Sequence, residues 1–199
     1  MKAIKIIMII LLAVAACACI VPEEPEIPIP TPTQTPPTPQ GIADAIPSEN
    51  LPGTFKLIAV IDENTTGSMN ITEDALSMIA GNLSVGAIKA VQGIYDFEAK
   101  TYSVSVTVIE CTDSVNAANA VENYKNQPDF ENPPSRTVSR FGAARFNGHE
   151  ATEVRRKPPL GSDDIRYGYI WSNDNHVFIV EPGTDDKQAS MELAAMTGY

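Results

Sequence analysis

The sequence predicts an α+β domain built on a twisted antiparallel sheet of about six or seven strands, with helices mainly on one face. Strand-like runs are separated by short turn signals, which indicates hairpins. Helix-like segments lie between them without the regular strand-helix alternation of a parallel sheet. The domain spans residues 51–199, and these 149 residues are enough for one hydrophobic core.

The first half of the domain predicts a strand, a helix and a hairpin. Residues 54–62 are rich in β-branched and aromatic side chains, which predicts an initial strand. Asn70, followed three residues later by a glutamate, forms a capping box for a short helix that ends at Ala80. Residues 87–97 and 101–111 then predict two paired strands joined by a short turn.

Alternation in the second strand of this hairpin predicts how the sheet is covered. Valines alternate with serine and threonine, which is typical of a sheet with one buried face and one solvated face. A helix follows, capped by Asp113 or Ser114 and continuing to about Asn126. The face expected to pack against the sheet carries Val115, Ala118, Val121 and Tyr124.

A strong turn signal organises the next hairpin. Asn147-Gly148 favours a type I′ turn between two strands. Pairing outward from this turn sets Arg140 opposite Arg155, which is repulsive. We expect the repulsion to be relieved by Glu153 at the diagonal position or by an external anion.

The chain ends with a second hairpin and a helix. Residues 165–171 and 176–180 predict two strands around a turn rich in asparagine and aspartate. The acidic stretch 184–186 suits the positive end of a helix dipole and predicts the start of a final helix. Its inner face is expected to carry Ala189, Leu193 and Met196.

Residues 1–16 predict a secretory signal peptide. Two lysines precede the apolar run 6–16, which contains no charge and no helix breaker. A membrane-spanning helix needs roughly 20 apolar residues, so this run is too short to be a comfortable permanent anchor.

The end of the run suggests a different anchor. Val14-Ala15-Ala16-Cys17 resembles the lipobox of prolipoproteins. The resemblance implies that the Cys17 thiol is alkylated with lipid and that Cys17 becomes the first residue of the mature chain. Two acyl chains hold a protein stably at a membrane, whereas one does so only marginally. Cys19 is a weaker alternative, because the aliphatic residue is missing at the required offset. The remaining alternative is that both cysteines end a signal peptide that is cleaved elsewhere.

Residues 17–50 are predicted to combine the lipid attachment with a tether rich in proline and threonine. Residues 21–40 contain eight prolines and four threonines. Such a composition favours polyproline II, and its rise of about 3.1 Å per residue gives the segment a reach of about 60 Å. The threonines are candidates for O-linked sugar.

Three Asn-x-Ser/Thr sequons begin at Asn64, Asn70 and Asn82. On an exported protein, such motifs are acceptors for N-linked glycans in surface loops, although polar loops also produce them by chance. The lipobox, the tether, the sequons and the acidic domain together resemble archaeal surface lipoproteins.

The charge distribution favours some partners and argues against others. The net charge of −11 argues against nucleic-acid binding, which relies on neutralising phosphates. Residues 136–166 nevertheless carry seven basic and four acidic side chains. This local excess predicts contact with an anionic partner or with lipid headgroups, the alternative being that these arginines are solvated or paired across strands. The candidate contact surface comprises Arg140, Arg155, Tyr167, Tyr169 and Trp171.

No motif for catalysis, a metal or a cofactor is apparent. The two histidines, His149 and His176, form a metal site only if the two hairpins meet in space. The odd separation of Glu150 and Glu153 puts them on opposite faces of one strand. Cys111, the only cysteine of the domain, is expected to be a buried residue that ends a strand.

We therefore expect a lipid-anchored protein at the outer face of the cytoplasmic membrane. It acts as a non-enzymatic binding or accessory module for another envelope component, without a cofactor. One alternative is a passive structural or shielding glycosylated lipoprotein. Another is an extracytoplasmic hydrolase, which requires the histidines and glutamates just named to converge in a cleft.

Overall fold

Seven strands and three α-helices make up the part of the chain that the structure describes. The structure is a computed structural model, and it describes residues 41–53, 55–65, 70–97, 103–158 and 163–199. Short 3-10 helices occur at Ile42–Ala45 and Pro128–Phe130. The strands are β1 (Phe55–Ile61), β2 (Ile88–Phe97), β3 (Ser103–Cys111), β4 (Phe141–Phe146), β5 (His149–Arg156), β6 (Arg166–Asn173) and β7 (His176–Thr184), and the helices are α1 (Ile71–Ile79), α2 (Ser114–Lys125) and α3 (Lys187–Ala195).

The strands form one antiparallel sheet in the order β1-β2-β3-β7-β6-β5-β4. The predicted α+β class is therefore confirmed. Every neighbouring pair except β3 and β7 is consecutive along the chain. The pairing of β3 with β7 joins the two halves of the domain, with Glu110 opposite His176.

The predicted hairpin registers and helix caps are confirmed. Asn147 and Gly148 have φ angles of 51° and 83°, the positive values that a type I′ turn requires. This turn sets Phe141 opposite Val154. The α2 and α3 caps are Asp113 and Asp186, whose carboxylates accept the backbone N–H groups three residues later.

Both faces of the sheet are buried. One hydrophobic cluster lies between the sheet, α3 and the first 3-10 helix, and the other lies between the sheet, α1 and α2. Two of the three α-helices thus share a face, as predicted. The alternation in β3 predicted that one face of the sheet is solvated, and this prediction is wrong. Thr107 and Ile109, on the face expected to be solvated, are both buried on the side of the sheet that α1 and α2 cover. Thr107 is tolerated there because Gln92 Nε2 donates a hydrogen bond to its hydroxyl at 3.0 Å.

The face of α2 that packs against the sheet also differs from the prediction. Val115 is 67% exposed and Ala118 lies in solvent. The predicted positions Val121 and Tyr124 do pack against the second cluster, and the other buried positions are Ala117, Ala120 and Asn123. Small alanines allow the helix backbone to approach its neighbours closely. A search for periodic bulky residues does not detect a packing face of this kind.

Asn123 fastens α2 to the loop that follows α1. Its Nδ2 donates to the carbonyls of Ile79 and Leu83 at 3.0 and 2.8 Å, and its Oδ1 accepts the Leu83 N–H at 3.1 Å. Gly81 is needed here, because a Cβ at that position would lie only 2.5 Å from the Asn123 amide. Gln127, one turn further along, donates to the carbonyl of Ala80 at 2.9 Å. The loop backbone is thereby fixed by side chains of α2.

Candidate functional site

The aromatic part of the predicted contact surface is buried. Tyr169 and Trp171 are 0% and 1% exposed, so their assignment to a contact surface is wrong. They belong to the cluster that α3 covers, where Trp171 stacks on Phe178 with ring centroids 4.9 Å apart. The Tyr169 hydroxyl donates to the Lys187 carbonyl at 3.4 Å. Burial, followed by the nearby charge of Glu153, raises the pKa of Tyr169.

The two arginines of the predicted surface are neighbours whose guanidinium groups contact different segments. The Arg155 N–H donates to the Arg140 carbonyl at 2.9 Å, as the predicted pairing requires. Arg140 donates to the carbonyls of Arg155 and Asn132 at 2.7 and 2.5 Å and lies 5.4 Å from the Phe130 ring centroid. Arg155 instead donates to Glu153 at 2.6 Å, which confirms Glu153 as the group that relieves the repulsion.

Glu153 is the centre of a buried ion cluster. Its side chain is 1% exposed. Arg155 Nε lies 2.6 Å from Oε1, and Lys187 Nζ lies 2.6 Å from Oε2. Oε2 makes no aligned hydrogen bond and depends on the charge of Lys187. Because Lys187 is the first residue of α3, the cluster ties this helix to β5. Tyr167 is half-buried beside it, with its ring centroid 5.8 Å from Lys187 Nζ.

Much of the remaining basic region is also paired. Arg156 lies 3.3 Å from an Asp129 carboxylate oxygen, and Lys157 lies 2.5 Å from Asp163. These contacts match the alternative in which the arginines and lysines of residues 136–166 are paired within the fold. The five residues of the predicted contact surface therefore do not form one exposed basic and aromatic patch.

The histidines lie in one row across the sheet, on either side of β6. His176 pairs with Asn173, and the β5-β6 register, continued by three residues, sets Asn173 opposite His149. At about 4.8 Å between strands, their Cα atoms are about 10 Å apart. The His176 ring packs beside Phe178 and Tyr199 at 6.3 and 5.5 Å. Within the described ranges, no group of three or more His, Cys, Asp or Glu side chains is placed to hold a metal ion.

Two shallow hollows adjoin at one end of the sheet. They have volumes of about 340 and 260 Å³ and share Lys89 and Glu110, which are cross-strand partners on β2 and β3. Residues 41–43, which directly follow the proline-rich stretch 21–40 within the predicted tether, line the smaller hollow. Neither Lys89 nor Glu110 forms an ion pair with another residue in the described part of the chain. The sequence analysis missed this pair, although the register of the β2-β3 hairpin would have found it.

The three sequon asparagines lie on the surface. Asn70 caps α1, since its Oδ1 accepts the Glu73 N–H at 3.2 Å and its Nδ2 donates to the Glu73 carboxylate at 3.4 Å. This confirms Asn70 as the predicted N-cap, although Glu73 accepts the Asn70 side-chain amide rather than the backbone N–H of a full capping box. The exposure of Asn64, Asn70 and Asn82 meets the steric requirement for glycosylation, which stays a prediction.

The three cysteines fall in different parts of the chain. Cys111 is the last residue of β3 and is 3% exposed, which confirms its predicted place. Cys17 and Cys19 lie outside the described residues, together with the predicted signal peptide and most of the predicted tether. Among the described helices, none has the length and apolar character needed to cross a membrane.

No protein-family model, curated protein or solved structure matches this chain.

Glu153→Gln should destabilise the domain by about 3 kcal/mol, because it removes the buried charge that neutralises Arg155 and Lys187. The matched control is Glu150→Gln, at an exposed position of the same strand, which should change stability by less than about 0.5 kcal/mol. Urea denaturation of both variants at neutral pH measures the difference. Equal losses in the two variants would contradict a structural role for the cluster.

The Cys111 thiol should make stability depend on alkaline pH. Burial, followed by the charge of Asp113, raises the pKa of Cys111 from about 9 to about 11. Between these values the unfolded chain loses a proton that the folded chain keeps, so stability falls as the pH rises. The loss is about 2 kcal/mol at ~1.4 kcal/mol per pKa unit.

The Cys111→Ala variant isolates this contribution. Its stability should fall less than that of the parent between pH 8 and pH 10.5 in urea denaturation. The buried tyrosines Tyr95, Tyr124 and Tyr169 have raised pKa values and are present in both proteins, so their contribution cancels in the comparison. Parallel pH profiles would show that the thiol makes no contribution.

Proposed function

We propose that the protein is a lipid-anchored extracytoplasmic binding or accessory module for another component of the cell envelope. The observation that carries the binding part of this proposal is the pair of hollows around Lys89 and Glu110. A cation and a carboxylate lie there as cross-strand partners without an ion pair to each other. Glu153, in contrast, is held by two cations.

The unpaired charges favour a partner that brings charges of both signs. Opposite charges placed across an interface mainly set specificity and the rate of encounter, because each exposed pair contributes only about 0.2 to 1 kcal/mol. Residues 41–43 line the same hollow as Lys89. A partner bound there would contact both the domain and residues 41–43 of the predicted tether, as suits a module held close to other envelope proteins.

A passive shielding role is the second candidate. The exposure of all three sequon asparagines favours it, since glycans at these positions would coat the surface around β1 and α1. This role makes no use of the unpaired charges at Lys89 and Glu110. The hydrolase alternative gains no support, because Glu153 is neutralised by Arg155 and Lys187 and faces the opposite way from Glu150.

Cys17→Ala should release the full-length protein from membranes, whereas the matched variant Cys19→Ala should leave it anchored. The physical reason is that only an acylated chain partitions stably into the bilayer. Fractionation of the native host followed by intact-mass measurement tests this outcome. An anchored Cys17→Ala protein, or an unlipidated native chain, would refute the lipid anchor.

Lys89→Glu should weaken partner binding at the hollows by about tenfold or more, because it replaces an attractive charge contact with a repulsive one. A photo-crosslinking amino acid at Thr112, which lines the larger hollow, should give an adduct of defined mass in intact cells. The adduct should be reduced in Lys89→Glu and kept in Lys125→Glu, which makes the same charge change on α2. Absence of any adduct, or its undiminished persistence in Lys89→Glu, would refute binding at this site.

A further inference from the structure

A third hollow has a neutral, amide-rich lining. It has a volume of about 360 Å³ and lies between the loop that follows α1 and the end of α2. No charged side chain contributes to its wall, so its chemistry differs from that around Lys89 and Glu110. The lining residues are Ala80, Gly81, Asn82, Leu83, Asn123, Asn126, Gln127 and Pro128.

The amides of this hollow are held in place by backbone carbonyls. Gln127 Nε2 donates to Ala80 and to Met78, and Asn126 Nδ2 donates to Glu122 at 2.9 Å. These bonds use the amino groups and leave the Gln127 and Asn126 amide oxygens without a donor among the described residues. Fixed acceptors of this kind suit hydroxyl donors, because little side-chain freedom is lost when a ligand binds.

The wall also contains exposed apolar surface. Leu83 is 44% exposed, and Pro128 also lines the hollow. A ligand that matches this hollow is uncharged, donates several hydroxyl groups and carries one apolar face. A pyranose sugar has these properties, and the volume of the hollow is in the range of small-molecule sites.

The sequon asparagine Asn82 lies in the wall of the same hollow. Its side chain makes no hydrogen bond with any residue that the structure describes, whereas the Asn70 amide is engaged in capping α1. The neighbouring Leu83 backbone is fixed on both sides by Asn123. A sugar on Asn82 would therefore begin next to a preformed neutral surface.

We propose that Asn82 carries an N-linked glycan and that its first sugar packs in this hollow. This inference rests on the proposed function, because N-linked glycosylation requires that the domain is exported. The sugar donor is an oligosaccharide linked through phosphate to a polyisoprenoid lipid. Asn82 Nδ2 forms a bond to the anomeric carbon and loses one proton to a base of the transferase. The anomeric carbon-oxygen bond breaks, and the lipid phosphate leaves with its electron pair.

Intact mass of the full chain from its native host tests the modification. Ser84→Ala and Asn82→Gln should both lose the same glycan mass, because each destroys the sequon. Thr72→Ala, which destroys only the sequon at Asn70, should keep that mass. If the Ser84→Ala protein differs from the parent only by the mass of the serine oxygen, the proposal is overturned. Lipid on Cys17 adds its own separate mass, so a failed anchor and a failed glycan are distinguishable.

Thermal unfolding tests the packing of the sugar. The Ser84→Ala protein should melt about 2 to 4 °C below the glycosylated parent, the shift typical of one lost favourable contact in a domain of this size. The same substitution in protein from a host without the transferase should leave the melting temperature unchanged, which excludes an effect of the serine hydroxyl itself. Equal melting temperatures for glycosylated and Ser84→Ala protein would overturn the proposal that the sugar packs in the hollow. A free pyranose that stabilises only the unglycosylated protein would support it.

Discussion

Burial of both faces of one sheet is the constraint on which the domain depends. Alternate residues of β6 and β7 supply two separate clusters, so that Tyr169 and Phe178 lie beneath α3 while Ile170 and Ile179 lie beneath α2. The central strands are therefore shielded from water only when α3 has docked on one face and α1 and α2 on the other. Polar side chains that could contact a partner therefore lie at the ends of the sheet and in the loops, where they stay in water.

The docking of α3 combines apolar packing with one costly electrostatic element. Leu193 and Ala189 face the sheet, but the first turn of the helix is positioned by Lys187 on the buried carboxylate of Glu153. A buried carboxylate destabilises the fold unless cations neutralise it. The cluster therefore adds orientation rather than net stability, since apolar residues of equal volume would also fill the space. The cluster also includes Arg155, which the sequence analysis assigned to the contact surface.

Local chemistry was predictable from the sequence, and tertiary covering was not. The Asn147-Gly148 turn, the Asn70 cap and the strand registers follow from interactions within a few residues. The burial of Tyr169 and Trp171 depends on α3, whose position no local pattern encodes. The α2 face was misassigned at Val115 and Ala118, because alanine contributes little to a hydrophobic period, whereas Val121 and Tyr124 do pack against the core. The cross-strand placement of Lys89 and Glu110 follows from the register of the β2-β3 hairpin, which no strong turn signal such as Asn-Gly fixes in the sequence.

The strand order also determines how the chain reaches this state. Within each half, neighbouring strands are also neighbours in sequence, and only β3 with β7 joins segments more than sixty residues apart, as Glu110 and His176 are. Closing that long loop costs chain entropy before any contact is gained. Folding should therefore be limited by formation of this central seam, after the local hairpins have formed. During synthesis, the first three strands emerge with an unpaired β3 edge, which is the point at which the chain is most exposed to aggregation.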